Sequence, residues 1–400
     1  MARKMSRRDA MKMGAAGAVA ATGACAEQKG GVAGGAGQAH KGKPPKLVKS
    51  GEKIRVGVIG TGGRGRGAHI ASLLKIKDVE IVALCDINPV NLNRGMDMVT
   101  KAGRKKPDGY DKGPTDYKRM LERDDLHAVT QATPCNWHGR MFLDTLAAGK
   151  HLYAEKPLGI TVKELDDCCA TAKANPKLTV TLGFQWMYHP AYIEAVQRVH
   201  DGEIGDIVEG RIARHNGARP LIGWFSHRKE CGDWMLEQAC HEFNVLNWLT
   251  KGHPLRLFAI GRRDIWTNKD PGRNVTDFYS AVIEYPNKVI VNYSHDWHSP
   301  PGFGGMELKA IGSKGAVDVL GTKIRPRGSK ADLRMKAALP KGVNDTQAAF
   351  NTWIKCIKEG TQPLASPEYG RLASHLGLML RKSIDENGKV VTYEEMLKTC

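Results

Sequence analysis

Lys156 is the residue in this sequence best placed to do chemistry. It stands in Glu155-Lys156-Pro157, directly after Lys150-His151-Leu152-Tyr153-Ala154, an apolar run that reads as a strand. Proline has no N–H to give a strand ladder, so the run stops there. Ligands of open α/β sheets bind beyond strand ends. Lys156 is therefore expected as a cation held at a crevice, able to steady negative charge that develops on a bound molecule. About ninety residues earlier lies Gly60-Thr61-Gly62-Gly63-Arg64-Gly65, a turn of the kind that lets backbone approach a phosphate.

The elements around that turn make it specific. Lys53-Ile54-Arg55-Val56-Gly57-Val58-Ile59 is a β-branched run, and Ala68, Ile70, Ala71, Leu73 and Leu74 follow the turn with helical spacing. Val79-Glu80-Ile81-Val82-Ala83-Leu84-Cys85 is a second strand that ends on Asp86, twenty-one residues after Gly65. Strand, glycine turn, helix, strand and acid together form a dinucleotide-binding pattern. Asp86 is expected to accept from the adenosine ribose diol and to repel a 2′-phosphate, which favours NAD over NADP. Arg64, able to stack on or bridge to the cofactor, pulls the other way. A third unit follows: the strand Ala128–Thr133 breaks at Pro134, and Cys135-Asn136-Trp137-His138 opens a helix capped by Gly149. His138 stands beside a strand end, as a cofactor neighbour would.

Four hundred residues, 41% hydrophobic and 6% aromatic, suit an α/β protein of two or three domains. No run of eighteen apolar residues exists, so no ordinary membrane span is expected. Of the +18 formal charge, +4 lies in residues 1–26 and +4 in 27–53, leaving +10 for the body. Neither zinc-finger spacing nor a continuous basic helix accompanies it, so no nucleic-acid partner is expected. Nine scattered cysteines without a CxxC do not make a disulfide framework. The histidines show neither HExxH nor facial-triad spacing, so no metal is expected.

Ser6-Arg7-Arg8-Asp9-Ala10-Met11-Lys12 precedes a weakly apolar stretch and Ala24-Cys25-Ala26. This resembles a twin-arginine export signal, with Ala10 in place of the usual Phe. It implies recognition by the export machinery and a periplasmic or otherwise exported protein. Lipid anchoring at Cys25 is the alternative, against which Thr22 stands where a lipobox prefers leucine. Residues 27–52, rich in Gly, Ala, Lys and Pro, read as a flexible linker. Residues 53–175 are then a nucleotide-binding domain. Residues 176–400 form a second α/β domain.

Val56-Gly57-Val58-Ile59-Gly60-Thr61-Gly62, Ala132-Thr133-Pro134 with His138, Ala148-Gly149-Lys150-His151 and Glu155-Lys156-Pro157 together resemble the Gfo/Idh/MocA family of NAD(P)-dependent sugar and inositol oxidoreductases. The resemblance covers most of residues 53–390. It implies an N-terminal Rossmann domain followed by an α/β domain with a large, mostly antiparallel sheet. The open face of that sheet commonly mediates a homo-oligomer, a dimer or tetramer. A late helix near Asp345–Lys358 would return to the first domain. The family also places an Asp-x-x-x-His pair on a helix. Here Gly232-Asp233-Trp234-Met235-Leu236-Glu237-Gln238-Ala239-Cys240-His241 matches it, with Glu237 in place of Asp. Four-residue spacing on a helix would put Glu237 and His241 on one face. Asn244 replaces a frequent Asp. Leu182-Gly183-Phe184-Gln185-Trp186-Met187-Tyr188-His189-Pro190 looks like the family's strand into the substrate region.

On this resemblance the cofactor side of the site is Gly60, Gly62, Gly63, Arg64, Gly65, Asp86, Thr133, Trp137, His138, Glu155, Lys156 and Gln185. The substrate side is Tyr188, Arg214, Asn244 and Trp297. The catalytic residues are Lys156, His241 and Glu237. His241 would take the hydroxyl proton. Lys156 would steady the alkoxide, and Glu237 would orient His241 or bind a sugar hydroxyl. Two enzymatic readings follow. One is an exported dehydrogenase of a sugar, polyol or glycoside, its NAD retained because free nucleotide is scarce outside the cytoplasm. The other is a glycoside hydrolase or lyase that passes through a transient 3-keto sugar and recycles the cofactor. An exported α-N-acetylgalactosaminidase branch of the family works that way, but it departs from the lysine and the histidine that this chain keeps. A non-catalytic sensor is the third reading, and retention of Lys156 and His241 argues against it.

Overall fold

The computed structural model describes residues 37–267 and 269–398. The export signal and the first part of the expected linker lie outside the described residues. Six strands form a wholly parallel sheet: β1 (Ile54–Ile59), β2 (Val79–Cys85), β3 (Asp108–Tyr110), β4 (Ala128–Gln131), β5 (His151–Ala154) and β6 (Val180–Leu182). Their order is β3-β2-β1-β4-β5-β6. Helices fill the crossovers. The first, α1, has π geometry over Gly65–Ile70 and α geometry over Ala71–Leu74; α2 (Pro89–Lys101), α3 (Asp116–Leu121), α4 (His138–Ala147) and α5 (Val162–Ala174) follow. β4 and β5 are buried along their whole length, which is why both read as continuous apolar runs rather than alternating ones. Strand order reverses between β1 and β4, and ligands of open α/β sheets bind beyond the strand ends at such a reversal. β1 runs into Gly60, β4 into Ala132-Thr133-Pro134 and β5 into Glu155.

The second sheet has nine strands: β7 (Ile207–Gly217), β8 (Arg256–Arg262), β9 (Phe278–Tyr285), β10 (Val289–Ser299), β11 (Gly305–Gly312), β12 (Gly315–Asp318), β13 (Lys323–Pro326), β14 (Leu333–Arg334) and β15 (Val391–Thr392). Their order is β14-β13-β12-β11-β7-β10-β9-β8-β15. All pairings are antiparallel except the central β7–β10 pair. The fold class expected from the sequence is therefore the one observed. Helices α6 (Pro190–His200), α7 (Arg228–Cys231), α8 (Trp234–Glu237), α9 (Cys240–Thr250), α10 (Asp345–Glu359), α11 (Pro367–Asp385) and α12 (Tyr393–Leu397) complete the chain. Strands β8 to β10 alternate buried and more exposed side chains. One face carries the helices α9 and α11; the other leaves Phe258, Ile260 and Ile290 in solvent.

Helix α10 crosses back to the parallel sheet. Its Phe350 stacks on Tyr153 of β5 with ring centroids 4.2 Å apart and meets His69 edge-on. Its Gln347 Nε2 donates to Ser72 O at 3.2 Å.

Three local expectations fail. Residues 37–49 do not form an unpacked linker but a strap over α4 and α5. Gln38 N donates to Asp167 Oδ1 at 2.8 Å, and Lys43 N donates to Ala147 O at 3.0 Å. The Asn175 amide receives Gly42 N at 2.8 Å and donates to His40 O at 2.7 Å. The strand expected over Leu182–Pro190 ends at Leu182, and a 3₁₀ turn over Gln185–Tyr188 follows. The helix expected through Gly232–His241 is two helices, α8 and α9, broken at Gln238 (φ −117°, ψ −53°). His295, Trp297 and His298 lie within β10.

Candidate active site

The glycine turn separates into two pairs by what each glycine touches. Gly60 has φ +83°, and a Cβ there would lie 2.5 Å from Ala132 O; at Gly65 it would lie 1.9 Å from Gly60 O. The fold itself requires these two. At Gly62 and Gly63 a Cβ would meet nothing within 4 Å. These positions leave room for another molecule to reach the backbone, which fits a dinucleotide pyrophosphate at the start of α1. Asp86 sits at the end of β2. Its Oδ2 accepts from Thr61 N (2.7 Å) and Thr61 Oγ1 (3.1 Å), and its Oδ1 accepts from Asn88 N (2.8 Å). A carboxylate has about four acceptor positions, so room for one ribose hydroxyl remains. Arg66, which the sequence reading missed, donates to Thr61 O and to Asn91 Oδ1. It, not Arg64, stands on the Asp86 side of the turn.

Arg64 goes the other way. Its Nε donates to Glu155 Oε1 at 2.6 Å, and His69 Nε2 lies 3.1 Å from the same oxygen. Glu155 and His69 are buried. Burial opposes the Glu155 charge, but Arg64, His69 and Lys156 hold its pKa well below the usual carboxylate range. The carboxylate thus ties the glycine turn to the end of β5.

Lys156 projects from that end across to α8. Its Nζ donates to Glu237 Oε1 at 2.9 Å and to Glu237 O. The Lys156–Pro157 peptide is cis. Burial disfavours the ammonium, but the Glu237 carboxylate more than compensates, and the lysine pKa is raised. His241, in the first turn of α9, is buried against the rings of Phe184 and Trp186, with centroids at 5.9 and 5.3 Å. Its pKa is lowered well below the usual value by burial first and then by the Lys156 and Arg214 charges. Among the described residues its Nδ1 has no hydrogen-bond partner. One group is held protonated and its neighbour is held neutral, a pairing that separates electrostatic and base roles.

Further out, Arg214 Nη1 donates to Glu242 Oε1 at 2.7 Å, so its charge is already matched inside the protein. Both amide atoms of Asn244 and Oε1 of Gln185 are buried without partners among the described residues. Unsatisfied buried polar atoms are costly in a native fold and are natural contacts for a bound polar molecule. Trp297 packs against Trp234 at 5.2 Å, with Arg219 over its ring at 5.4 Å.

Several expected site residues are spent elsewhere. The Tyr188 hydroxyl lies 2.8 Å from Thr181 Oγ1 and accepts from Ala365 N at 3.2 Å, which ties β6 to the segment before α11. The His138 ring nitrogens face Pro157 O (2.6 Å) and Thr133 O (2.9 Å), so the ring clamps the strand-end loops together. The Thr133 hydroxyl faces Met141 Sδ at 3.7 Å. Trp137 packs on the apolar cluster around Val129 and Met141. Gln238 and Asn216, which nothing in the sequence singles out, meet His295 beside Glu237 and His241: Gln238 Oε1 accepts from Asn216 Nδ2 at 2.9 Å and lies 2.7 Å from His295 Nε2.

Two family models match the chain. One, described as oxidoreductase family, NAD-binding Rossmann fold, covers residues 54–184; the other, the GFO/IDH/MocA C-terminal domain, covers residues 192–318. Levoglucosan dehydrogenase, in complex with NADH and levoglucosan, superposes with a TM-score of 0.73 at 17% identity, covering 86% of this chain and 100% of that one. Scyllo-inositol dehydrogenase from Lactobacillus casei gives 0.69 at 20% identity, covering 86% and 99%. Likeness at such identities is likeness of fold. A glycosyl hydrolase family 109 protein of Saccharopolyspora erythraea is 34% identical over 183 residues, 46% of this chain and 39% of that protein. The α-N-acetylgalactosaminidase of Shewanella oneidensis is 31% identical over 183 residues, with the same shares. The chain thus matches about two fifths of the length of these curated relatives. The two family models fall on the two sheets in turn: the chain has the Gfo/Idh/MocA oxidoreductase fold and is an NAD-binding enzyme of that oxidoreductase family.

Proposed function

We propose that this enzyme takes hydride from a secondary hydroxyl of a sugar, polyol or glycoside. The observation that carries this reading is the pairing of a protonated Lys156 with a neutral His241 at the strand-end crevice. The bound nicotinamide would accept the hydride. His241 Nδ1, without a hydrogen-bond partner among the described residues, takes the hydroxyl proton. Lys156, anchored on Glu237, donates to the oxygen as it becomes an alkoxide. Asn244 and Gln185 offer buried polar atoms to sugar hydroxyls.

The family 109 relatives favour a second reading, in which the same oxidation begins glycosidic cleavage and the hydride is returned. Absorbance of the purified protein at 340 nm, with free sugars and then glycosides added, separates the two. Net nucleotide reduction by a free sugar supports the dehydrogenase. Glycoside cleavage without net reduction supports the lyase-type reaction. A protein that neither carries nor binds a nicotinamide nucleotide would sink both.

The cofactor in this reading is NAD, tightly held. Asp86 disfavours a 2′-phosphate, while Arg66 beside it would tolerate one. Asp86→Ala is expected to weaken NAD about tenfold and to bring NADP binding to parity, as read by fluorescence titration of each nucleotide. A result with NAD unaffected would remove Asp86 from the ribose site.

We also propose a homo-oligomer through the open face carrying Phe258, Ile260 and Ile290, which light scattering tests. Export by the twin-arginine route rests on Ser6-Arg7-Arg8 alone. Replacing Arg7 and Arg8 by lysine is expected to leave the protein in the cytoplasmic fraction; unchanged export would refute that route.

A further inference from the structure

Two groups of the proposed reaction, Glu237 and His241, sit on different helices, and one side chain lies at the joint between them. Glu237 is the last residue of α8, and His241 is the second residue of α9. Between them the backbone is distorted at Gln238 (φ −117°, ψ −53°), and His241 N donates back to Gln238 O at 3.2 Å. Ala239 and Cys240 are ordinary helix residues, so local propensity does not require a break here. The Gln238 side chain turns instead to the sheet. Its Oε1 takes Asn216 Nδ2 of β7 at 2.9 Å and faces His295 Nε2 of β10 at 2.7 Å. Asn216 Nδ2 also donates to Asp296 O at 2.9 Å. His295 is fully enclosed, against Tyr279 at 5.2 Å. β7 and β10 are the central parallel pair, which makes them a stiff support.

We infer that Gln238, tethered by Asn216 and His295, is a positioning residue that sets the distance between the Lys156–Glu237 pair and His241. Removing its acceptor would let the joint relax towards one continuous helix. His241 would then turn relative to the charges that face it: Lys156 at the end of β5, Arg214 on β7, and Glu155 and Arg64 at the glycine turn. The role rests on the proposed hydride transfer, but its structural consequence is measurable without turnover.

The test uses full-length Gln238→Ala and Gln238→Glu, with NMR of ¹³C-labelled histidine to titrate His241 and single-turnover reduction of bound nucleotide. In Gln238→Ala the His241 titration moves upward in pH by at least half a unit. The reduction rate falls ten- to a hundredfold, while nucleotide affinity changes less than threefold. Gln238→Glu keeps an acceptor and restores most of the rate and the titration. A folded Gln238→Ala with the wild-type His241 titration overturns the inference, even if its melting temperature drops, because a merely structural residue would behave that way. Should Gln238→Ala not fold, His295→Phe removes one of the two groups held against Gln238 Oε1 and the same titration decides. A wild type that oxidises no carbohydrate would refute the proposed function, whereas the His241 titration would still judge Gln238.

Discussion

Lys156→Ala is expected to lower hydride transfer about a thousandfold while leaving nucleotide affinity within about threefold. Removing one preorganised donor to a developing oxyanion typically costs 10²–10³ in rate, roughly 3–4 kcal/mol. The upper end applies because Lys156 is a full charge in a partly enclosed site, and its removal leaves the Glu237 carboxylate facing the reacting oxygen. Nucleotide binding changes little, because the glycine turn is tied to β5 through Arg64 and Glu155 rather than through Lys156. Lys156→Arg restores the charge but not the reach to both oxygens of Glu237, so partial activity is expected. Single-turnover reduction of bound nucleotide gives the rate, and fluorescence titration gives the affinity. A variant with full turnover would remove the lysine from the reaction.

The second large effect is on stability at mildly acidic pH. Eight histidines, at positions 69, 127, 138, 151, 200, 241, 295 and 375, have pKa values lowered mainly by burial. For two of them the geometry also demands the neutral ring: Arg55 N donates to His127 Nδ1 at 3.0 Å, and Thr179 N donates to His151 Nδ1 at 2.9 Å. A proton on either nitrogen replaces an acceptor with a donor facing a donor. Because each folded value lies below the unfolded value of 6.5, the unfolded chain binds more protons between the two. The stabilisation is complete above pH 6.5 and is lost as pH falls towards the folded values. For His151, lowered to about 4, and His375, lowered to about 3, the loss between pH 6.5 and 5 is roughly 2 kcal/mol each at about 1.4 kcal/mol per unit. That is a large part of a typical stability of about 5–15 kcal/mol. The melting temperature is expected to fall by about 10 °C or more between pH 7 and 5. Calorimetry across that range, with His151→Asn flattening the slope, checks it; a pH-independent melt would contradict it.

The parts of this molecule that were legible in its sequence are those held by local rules. β1, β2 and β5 appear where β-branched and apolar runs place them, and the glycine turn follows β1 at once because Gly60 and Gly65 leave no space for a side chain. The errors came from partners distant in sequence. The strap was illegible because its Gly-Lys-Pro composition says nothing of acceptors on Asp167 and Asn175. Tyr188 and His138 have the chemistry of site residues, but Thr181, Ala365, Pro157 and Thr133 claim their polar atoms. The joint at Gln238 was invisible for the same reason: two strands, not the neighbouring residues, bend the helix there.

Phe350 and Trp353 of α10 lie over Tyr153, and Phe350 also meets His69, whose partner Glu155 ties the glycine turn to β5. This arrangement fixes an order of events during synthesis. The glycine turn, β2 and β5 leave the ribosome early, yet the water around His69 and Glu155 is excluded only when the α10 aromatics arrive from the far end of the chain. The nascent nucleotide-binding half thus lacks part of its packing until residues as far along as Trp353 have been made.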